Sequence, residues 1–271
     1  MGIKLKVGII GCGVIGSKIA ESCLGALKDS TELIALFDID KDKILVLEDK
    51  LGRKLGSSSL DGVFKKSKLV IEAASVAISS EMLSRAIEKK VNIMIMSVGG
   101  LLGHENLIEE ARKKGIRVYL PSGALAGIDA IKAASFSKIY SVTITTRKPP
   151  KGLEGAPYLL EKGINIKEIK EETVIFEGSA KQAVKGFPKN INVSALLSLV
   201  GIGADKTTVR IIASPLFTRN SHEVEVKGEF GEIKTQTFNV PSPFNPKTSY
   251  LAVLSAIATL KGIADNVRMG T

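Results

Sequence analysis

The sequence of 271 residues is 44% hydrophobic and carries a formal charge of +10, with two cysteines, two histidines and no tryptophan. That much apolar material builds one large core or two ordinary ones and excludes a disordered chain, and no uninterrupted apolar window approaches the roughly eighteen residues of a membrane helix. The positive charge lies in scattered pairs such as Lys65-Lys66, Lys89-Lys90 and Lys113-Lys114, mixed with glutamates and without interleaved aromatic rings; it fits solvated helix faces and anionic small-molecule partners, not nucleic acid.

From residue 3 to about residue 121, apolar runs of strand length alternate with amphipathic stretches of helix length. The runs "KVGIIG", "LIALFD", "LVIEAA", "NIMIMS" and "RVYLP" read as strands, and "GSKIAESCLGAL", "DKILVLEDKLG", "SSEMLSRAIEKK" and "ENLIEEARKKG" as the helices between them. This alternation predicts an α/β fold, a Rossmann-type doubly wound parallel sheet. After Pro121 a helix is expected from about Gly127 to Ser135, then period-two strands "SVTITTRK", "ETVIFEGSA", "TTVRIIAS", "HEVEVKG" and "EIKTQTFNV". Those strands, with the helical segments "AKQAVKGF" and "VSALLSLVG", predict a second α+β domain with a mainly antiparallel sheet. The apolar helix "YLAVLSAIATLKGIA" closes the sequence and is expected to return to the first domain. The domains are therefore set at 1–121, with the C-terminal segment 246–271 packing back on it, and 122–245.

The turn "GIIGCGVIGSKIA" carries chemistry. Gly11, Gly13 and Gly16 form the G-x-G-x-x-G arrangement directly after a strand and at the opening of a helix. There the first glycine permits the tight turn, the second lets a pyrophosphate approach the backbone, and the third lets the helix pack close to its strand. The helix N-terminus at Val14 and Ile15 offers N–H groups to the anion. Asp38 ends the second strand, where a carboxylate accepts bonds from both adenine-ribose hydroxyls; the alternative is a turn or capping aspartate in "FDIDKDK". A carboxylate there favours NAD over NADP, although Lys41 and Lys43 keep NADP open. Cys12 and Cys23 are too far apart for a redox pair, and no metal site is expected. The apolar "KVGIIGCGVIG" is followed by no cleavage pattern, so a soluble, cytoplasmic protein is expected.

Several further motifs recur in one order: "LPSGALAGIDAI", "TRKPP", "AVKGFPKNINVSALLSLVGIGAD", "FTRNSHEVEVKGEFGE" and "NVPSPFNPKTSYLAVLSAIA". With "GCGVIG" they make nearly the whole chain resemble the L-aspartate dehydrogenase family of archaea and bacteria. The resemblance implies NAD(P)-linked oxidation of L-aspartate to iminoaspartate, a precursor in NAD biosynthesis, by a two-domain subunit that forms a homodimer through its second, catalytic domain. It places the family's active-site histidine at His222 and its nicotinamide-side contacts at Ala126 and Asn192. Asn192 also reads as a simple helix cap, and Ala126 acts only through its backbone. Two alternatives stay open on the same fold: a reductase or dehydrogenase of another small acid, dihydrodipicolinate-reductase-like or homoserine-dehydrogenase-like, and a non-catalytic NAD-responsive binding protein.

Alternation along "HEVEVK" puts His222 on the inward face with Val224 and Val226, at the first position of the strand. That is the place for a titratable group at the rim of a core. Hydride leaves the substrate only when the amino nitrogen has lost its proton, and a nearby base is needed to take it. His104 precedes a helix and reads as a capping or surface residue. The two substrate carboxylates call for cations, for which Lys189, Lys247 and Arg147 are the expected candidates because each adjoins a turn.

Overall fold

The computed structural model describes residues 3–188, 191–243, 245–267 and 269–270, with the backbone course alone for 245–247. The chain divides into two compact units, Met1–Pro121 with Val253–Arg268, and Ser122–Ala252 with Met269–Thr271.

The first unit runs β1 (Leu5–Ile10), α1 (Val14–Leu24), β2 (Thr31–Phe37), α2 (Lys41–Leu51), α3 (Leu60–Lys66), β3 (Leu69–Glu72), α4 (Ser79–Lys89), β4 (Asn92–Ile95), α5 (Glu105–Lys113) and β5 (Val118–Tyr119). All its strand pairs are parallel, in the order β2-β1-β3-β4-β5. Helices cover both faces of such a sheet, which is why β3 is buried along its whole length and β1 over Val7 to Ile10. The helix ends follow local chemistry. Asp40 caps α2 by accepting from the Asp42 N–H, and Gly52 ends it in the left-handed region at φ 63°. Helix α3, which the polar, serine-rich "SSSLDGVFKK" does not announce, is capped by Ser59 and held by fully buried Val63 and Phe64.

The second unit runs α6 (Ile128–Ala134), β6 (Ile139–Lys148), α7 (Pro157–Glu161), β7 (Thr173–Ser179), α8 (Ala180–Gly186), α9 (Asn192–Val200), β8 (Thr207–Ala213), β9 (Asn220–Gly228) and β10 (Gly231–Asn239), then a short hairpin, β11 (Pro241–Ser242) and β12 (Asn245–Ser249). The five expected strands form one sheet in the order β10-β9-β6-β8-β7. Three of its pairings are antiparallel, and β6 with β8 is parallel. The parallel pair needs a long crossover, and residues 149–206, with α7, β7, α8 and α9, provide it. One face of the sheet (Val142, Ile144, Val209, Ile211, Val224, Val226) forms the unit's core with residues of α6, α8 and α9, such as Ile131, Ala183 and Leu197. Helix α10 (Tyr250–Ala264) follows, and its Ala256 and Leu260 join the core of the first unit beside Val7, Ile9 and Ile19.

Beside the turn after β1, one buried acid fixes the rim of the parallel sheet. Glu72, at the end of β3, is fully buried. Its carboxylate accepts from the backbone N–H groups of Ala74 (2.8 Å), Ser75 (3.1 Å) and Ser97 (3.0 Å) and from the Ser97 hydroxyl (2.9 Å). Burial outweighs these donors and holds its pKa above the ordinary carboxylate value, so the group is desolvated but surrounded by donors. Truncation leaves those donors without an acceptor at about 1–3 kcal/mol each. Glu72→Ala is therefore expected to lower unfolding stability by about 3 kcal/mol or more, measured by denaturant titration; a loss under about 1 kcal/mol contradicts this role.

Candidate active site

The three turn glycines have different reasons to be glycine. Gly11 adopts φ +97°, and a side chain on it would lie 2.5 Å from the Ala73 carbonyl oxygen. A side chain on Gly16 would lie 1.8 Å from the Gly11 carbonyl oxygen, so α1 and the turn touch there through bare backbone. Gly13 has an ordinary φ of −71°, and a Cβ built on it meets no atom of the described residues within 4 Å. Nothing among the described residues demands a glycine at that point. It is also the N-cap of α1, and no side chain caps the helix. Open space beside an uncapped helix N-terminus fits a pyrophosphate, which the N–H groups of Val14 and Ile15 would meet.

Asp38 follows the C-terminal end of β2. Its Oδ2 accepts from the Cys12 N–H at 2.8 Å, inside the glycine turn, and its Oδ1 accepts from Asp40 N–H at 2.9 Å. The carboxylate thus fixes the turn through backbone donors, and each oxygen keeps a second lone pair for a ribose hydroxyl. Burial, reinforced by the Asp38 charge, pushes the Cys12 thiol up to about 12, so this cysteine stays protonated and inert.

In the second unit His222 sits near the start of β9, 6% exposed, on the face that carries Val224 and Val226. Its Nδ1 lies 3.0 Å from the Thr146 hydroxyl of β6, the residue directly opposite in register. Burial, helped by the charge of Lys148, lowers its pKa from 6.5 to about 3, which leaves the imidazole neutral. On its other side His222 is opposite Thr237 of β10, whose hydroxyl donates to the Ala124 carbonyl at 2.8 Å. The same strand holds the next turn of that loop, since the Thr235 hydroxyl donates to the Ala126 carbonyl at 3.1 Å. A Cβ on Gly123 would lie 3.9 Å from the Val193 side chain, next to Asn192. The second unit thus gathers His222, the loop through Ala126 and the start of α9 around one end of β9 and β10. Asn192 is exposed and is the first residue of α9, not its cap, which is Ile191.

Of the expected substrate cations, Arg147 has a described side chain, and it is not gathered there. Arg147 points to the opposite face of the sheet, where its guanidinium bonds Glu223 at 3.1 Å. Lys189 lies outside the described residues; Lys247 belongs to β12, but its side chain is not described. His104 is exposed at the start of α5. The cation that does share the His222 face is Lys148, 8% exposed, its pKa lowered by burial to about 8. Alternation along "VTITTRK" was the available signal: it sets Val142, Ile144, Thr146 and Lys148 on one side and Arg147 on the other.

Comparison with known proteins identifies the family. Residues 129–263 match the family described as "Aspartate dehydrogenase, C-terminal", and residues 11–121 the family described as "Homoserine dehydrogenase, NAD binding domain". The chain is 46% identical to the L-aspartate dehydrogenase of Methanosarcina barkeri, over 98% of this chain and all of the relative. It is 41% identical to that of Methanococcus maripaludis, again over 98% of this chain and all of the relative. Among solved structures, the aspartate dehydrogenase of Thermotoga maritima superposes with a TM-score of 0.76 at 27% identity, over 99% of this chain and 100% of that one. A homoserine dehydrogenase from Thiobacillus denitrificans shares the fold at a TM-score of 0.64 and 12% identity, over 97% of this chain and 73% of that one. With relatives of this identity matched over almost its full length, the chain belongs to the L-aspartate dehydrogenase family.

Proposed function

We propose that this protein oxidises L-aspartate to iminoaspartate with NAD as the acceptor, and that His222 is its acid–base residue. The observation that carries the reading is a neutral, desolvated imidazole at the start of β9, bonded to Thr146 on one side and joined through Thr237 to the loop of Ala126 on the other. When bound, NAD supplies the hydride acceptor. By the family resemblance, the backbone of Gly11, Gly13, Val14, Ile15 and Gly16 would hold it, with Asp38 at the adenine ribose, and Ala126 and Asn192 would be the nicotinamide-side contacts. The Asp38 carboxylate repels a 2′-phosphate, which favours NAD over NADP.

His222 performs the proton chemistry. The substrate enters with a protonated amine, and its Cα–H bond breaks only when the nitrogen lone pair is free to become the C=N bond. The neutral imidazole accepts that proton, and Thr146 fixes the ring so that its other nitrogen faces the substrate. Water then adds to the imine, and the same ring relays the protons by which oxaloacetate and ammonia leave. Lys189 and Lys247 remain proposed carboxylate contacts. The resemblance also supports a homodimer, which sedimentation equilibrium tests. No helix among the described residues is long and apolar enough to cross a membrane.

Three outcomes test this reading. Replacing His222 with Ala should lower kcat with L-aspartate by roughly 100- to 10,000-fold while leaving NAD affinity intact; NAD binding together with unaltered turnover would remove His222 from the mechanism. Gly13→Ala meets no atom of the described residues, so its melting temperature should match the wild type while NAD binding weakens about tenfold or more; Gly16→Ala should melt lower because its Cβ has no room. The third is a pH dependence. His222 binds a proton near 6.5 when unfolded but only near 3 when folded, so the unfolded state takes up more protons between those values. Its contribution to stability is present above about pH 6.5 and is lost as pH falls towards 3. The stability advantage of the wild type over His222→Gln should therefore shrink from about pH 7 to about pH 4; an advantage independent of pH contradicts a buried, neutral ring.

A further inference from the structure

Strand β10 meets the loop of Ala126 through its side chains, and one of them, Asn239, has no part in the function proposed above. Alternation sets Ile233, Thr235, Thr237 and Asn239 on the inner face of the sheet and Lys234, Gln236 and Phe238 on the outer. Asn239, the last residue of the strand, is 4% exposed and lies two residues beyond the threonine opposite His222. Both hydrogens of its amide are used. Nδ2 donates to the Ala124 carbonyl at 3.3 Å and to the Thr237 hydroxyl at 3.1 Å, and Oδ1 accepts from the Ser249 hydroxyl at 3.0 Å. The reversed amide would set Oδ1 against the Ala124 oxygen, so this network determines which way it faces. The Thr237 hydroxyl gives its own hydrogen to the same carbonyl at 2.8 Å. Two donors therefore converge on one loop oxygen.

The contact repeats two residues along each chain. Thr235 donates to the Ala126 carbonyl at 3.1 Å, and the backbone of Gly127 comes so close that a side chain there would lie 2.8 Å from the Thr235 methyl group. A spacing of two on the strand thus meets a spacing of two on the loop. Because peptide groups are planar, fixing the Ala124 and Ala126 carbonyls fixes the planes on either side of one peptide, from the Leu125 carbonyl to the Ala126 N–H. The first of those planes is also tied by its N–H, since Leu125 donates to the Ser122 carbonyl at 3.2 Å. The peptide held between them belongs to the proposed nicotinamide-side contact.

We propose that Asn239 and Thr237 are positioning residues for hydride transfer: together they hold the Ala126 loop in a set place beside His222, so that nicotinamide and base act on one substrate from a single frame. This rests on the reading of His222 as the acid–base residue and of Ala126 as a nicotinamide-side contact. Strands β9 and β10 pair residue for residue from Asn220 to Gly228, so a group fixed to β10 is fixed relative to His222. The loop lies outside that sheet, between β5 and α6, and its hold on β10 runs through these side chains. The same amide has an anchor behind it. Ser249 closes β12, and the next residue, Tyr250, donates its N–H to the Val240 carbonyl at 3.1 Å, which brings the start of α10 back to the end of β10. Precision matters here because hydride passes only between aligned atoms, and a displacement of about 1 Å costs roughly 100-fold.

The test is a single turnover with NAD and L-aspartate saturating, followed as NADH formed per bound NAD well below the melting temperature. A loss of folded protein then does not count as a loss of rate. Thr237→Val keeps the shape of its side chain and removes the hydroxyl, and Asn239→Ala removes the amide; each should slow hydride transfer about tenfold or more with NAD affinity retained. Thr237→Ser, which returns the hydroxyl, should recover most of that loss. Both residues serve one carbonyl, so the double variant should lose less than the product of the two single losses. A merely structural role lowers the melting temperature and leaves the rate per NAD-bound enzyme unchanged. A rate within about twofold of the wild type in either single variant, or no recovery in Thr237→Ser, overturns the assignment. Should Asn239→Ala fail to fold, the two Thr237 variants decide. A wild type that oxidises no aspartate sinks the proposed function instead.

Discussion

The second unit depends on one constraint: the inner face of its sheet is dry. Val142, Ile144, Val224 and Val226 hold it against the covering helices, each 1% exposed or less. The same alternation that builds this core also delivers Thr146, Lys148 and His222 to its end, because side chains two residues apart on a strand share a face. Desolvation then sets their chemistry. It holds the imidazole neutral and draws the ammonium down toward neutrality, effects that an exposed pair with the same spacing would largely lose to water. Core and site are one construction, with apolar residues where packing is needed and titratable ones where the face reaches its rim.

The first unit solves a different problem with backbone alone. Gly11 and Gly16 are glycines because other protein atoms occupy the space of a side chain, whereas Gly13 is one although none of the described residues occupies that space. Packing therefore explains two of the three positions, and the third is left open on the side where the proposed cofactor would lie. Asp38 ties this turn to β2 through the Cys12 N–H, so the residue that would read the ribose also fixes the shape of the phosphate cradle. The capping and binding readings of Asp38 are in this sense compatible, since a carboxylate has enough lone pairs for both. Glu72 does similar work at the neighbouring strand end, where it gathers the loops after β3 and β4 onto one buried carboxylate.

The architecture was legible in the sequence wherever periodicity was long. The parallel strands were continuous apolar runs, and the five strands of the second sheet alternated cleanly. Helix α3 was not legible, because about two turns with a polar start carry too little pattern, and tertiary burial of Val63 and Phe64 decides it. Nor was the parallel pairing of β6 with β8, since alternation fixes which face a residue occupies but not which neighbour its strand takes. In the site, Asn192 carried a cap signature yet lies inside the helix, a one-residue difference of the kind that end fraying produces. Glu72 gave no signal, because an acid at the end of an apolar run looks like the polar edge of a strand until its donors are seen.

Arg147 and Lys148 show where composition misleads and parity does not. Both are cations beside the same turn, and an arginine is the better partner for a carboxylate in isolation. Strand geometry separates them. Arg147 bonds Glu223 at the outer face, and Lys148 is carried onto the buried inner face with His222. Parity thus places Lys148, and not Arg147, on the face that carries His222, where its charge adds to burial in opposing protonation of the ring.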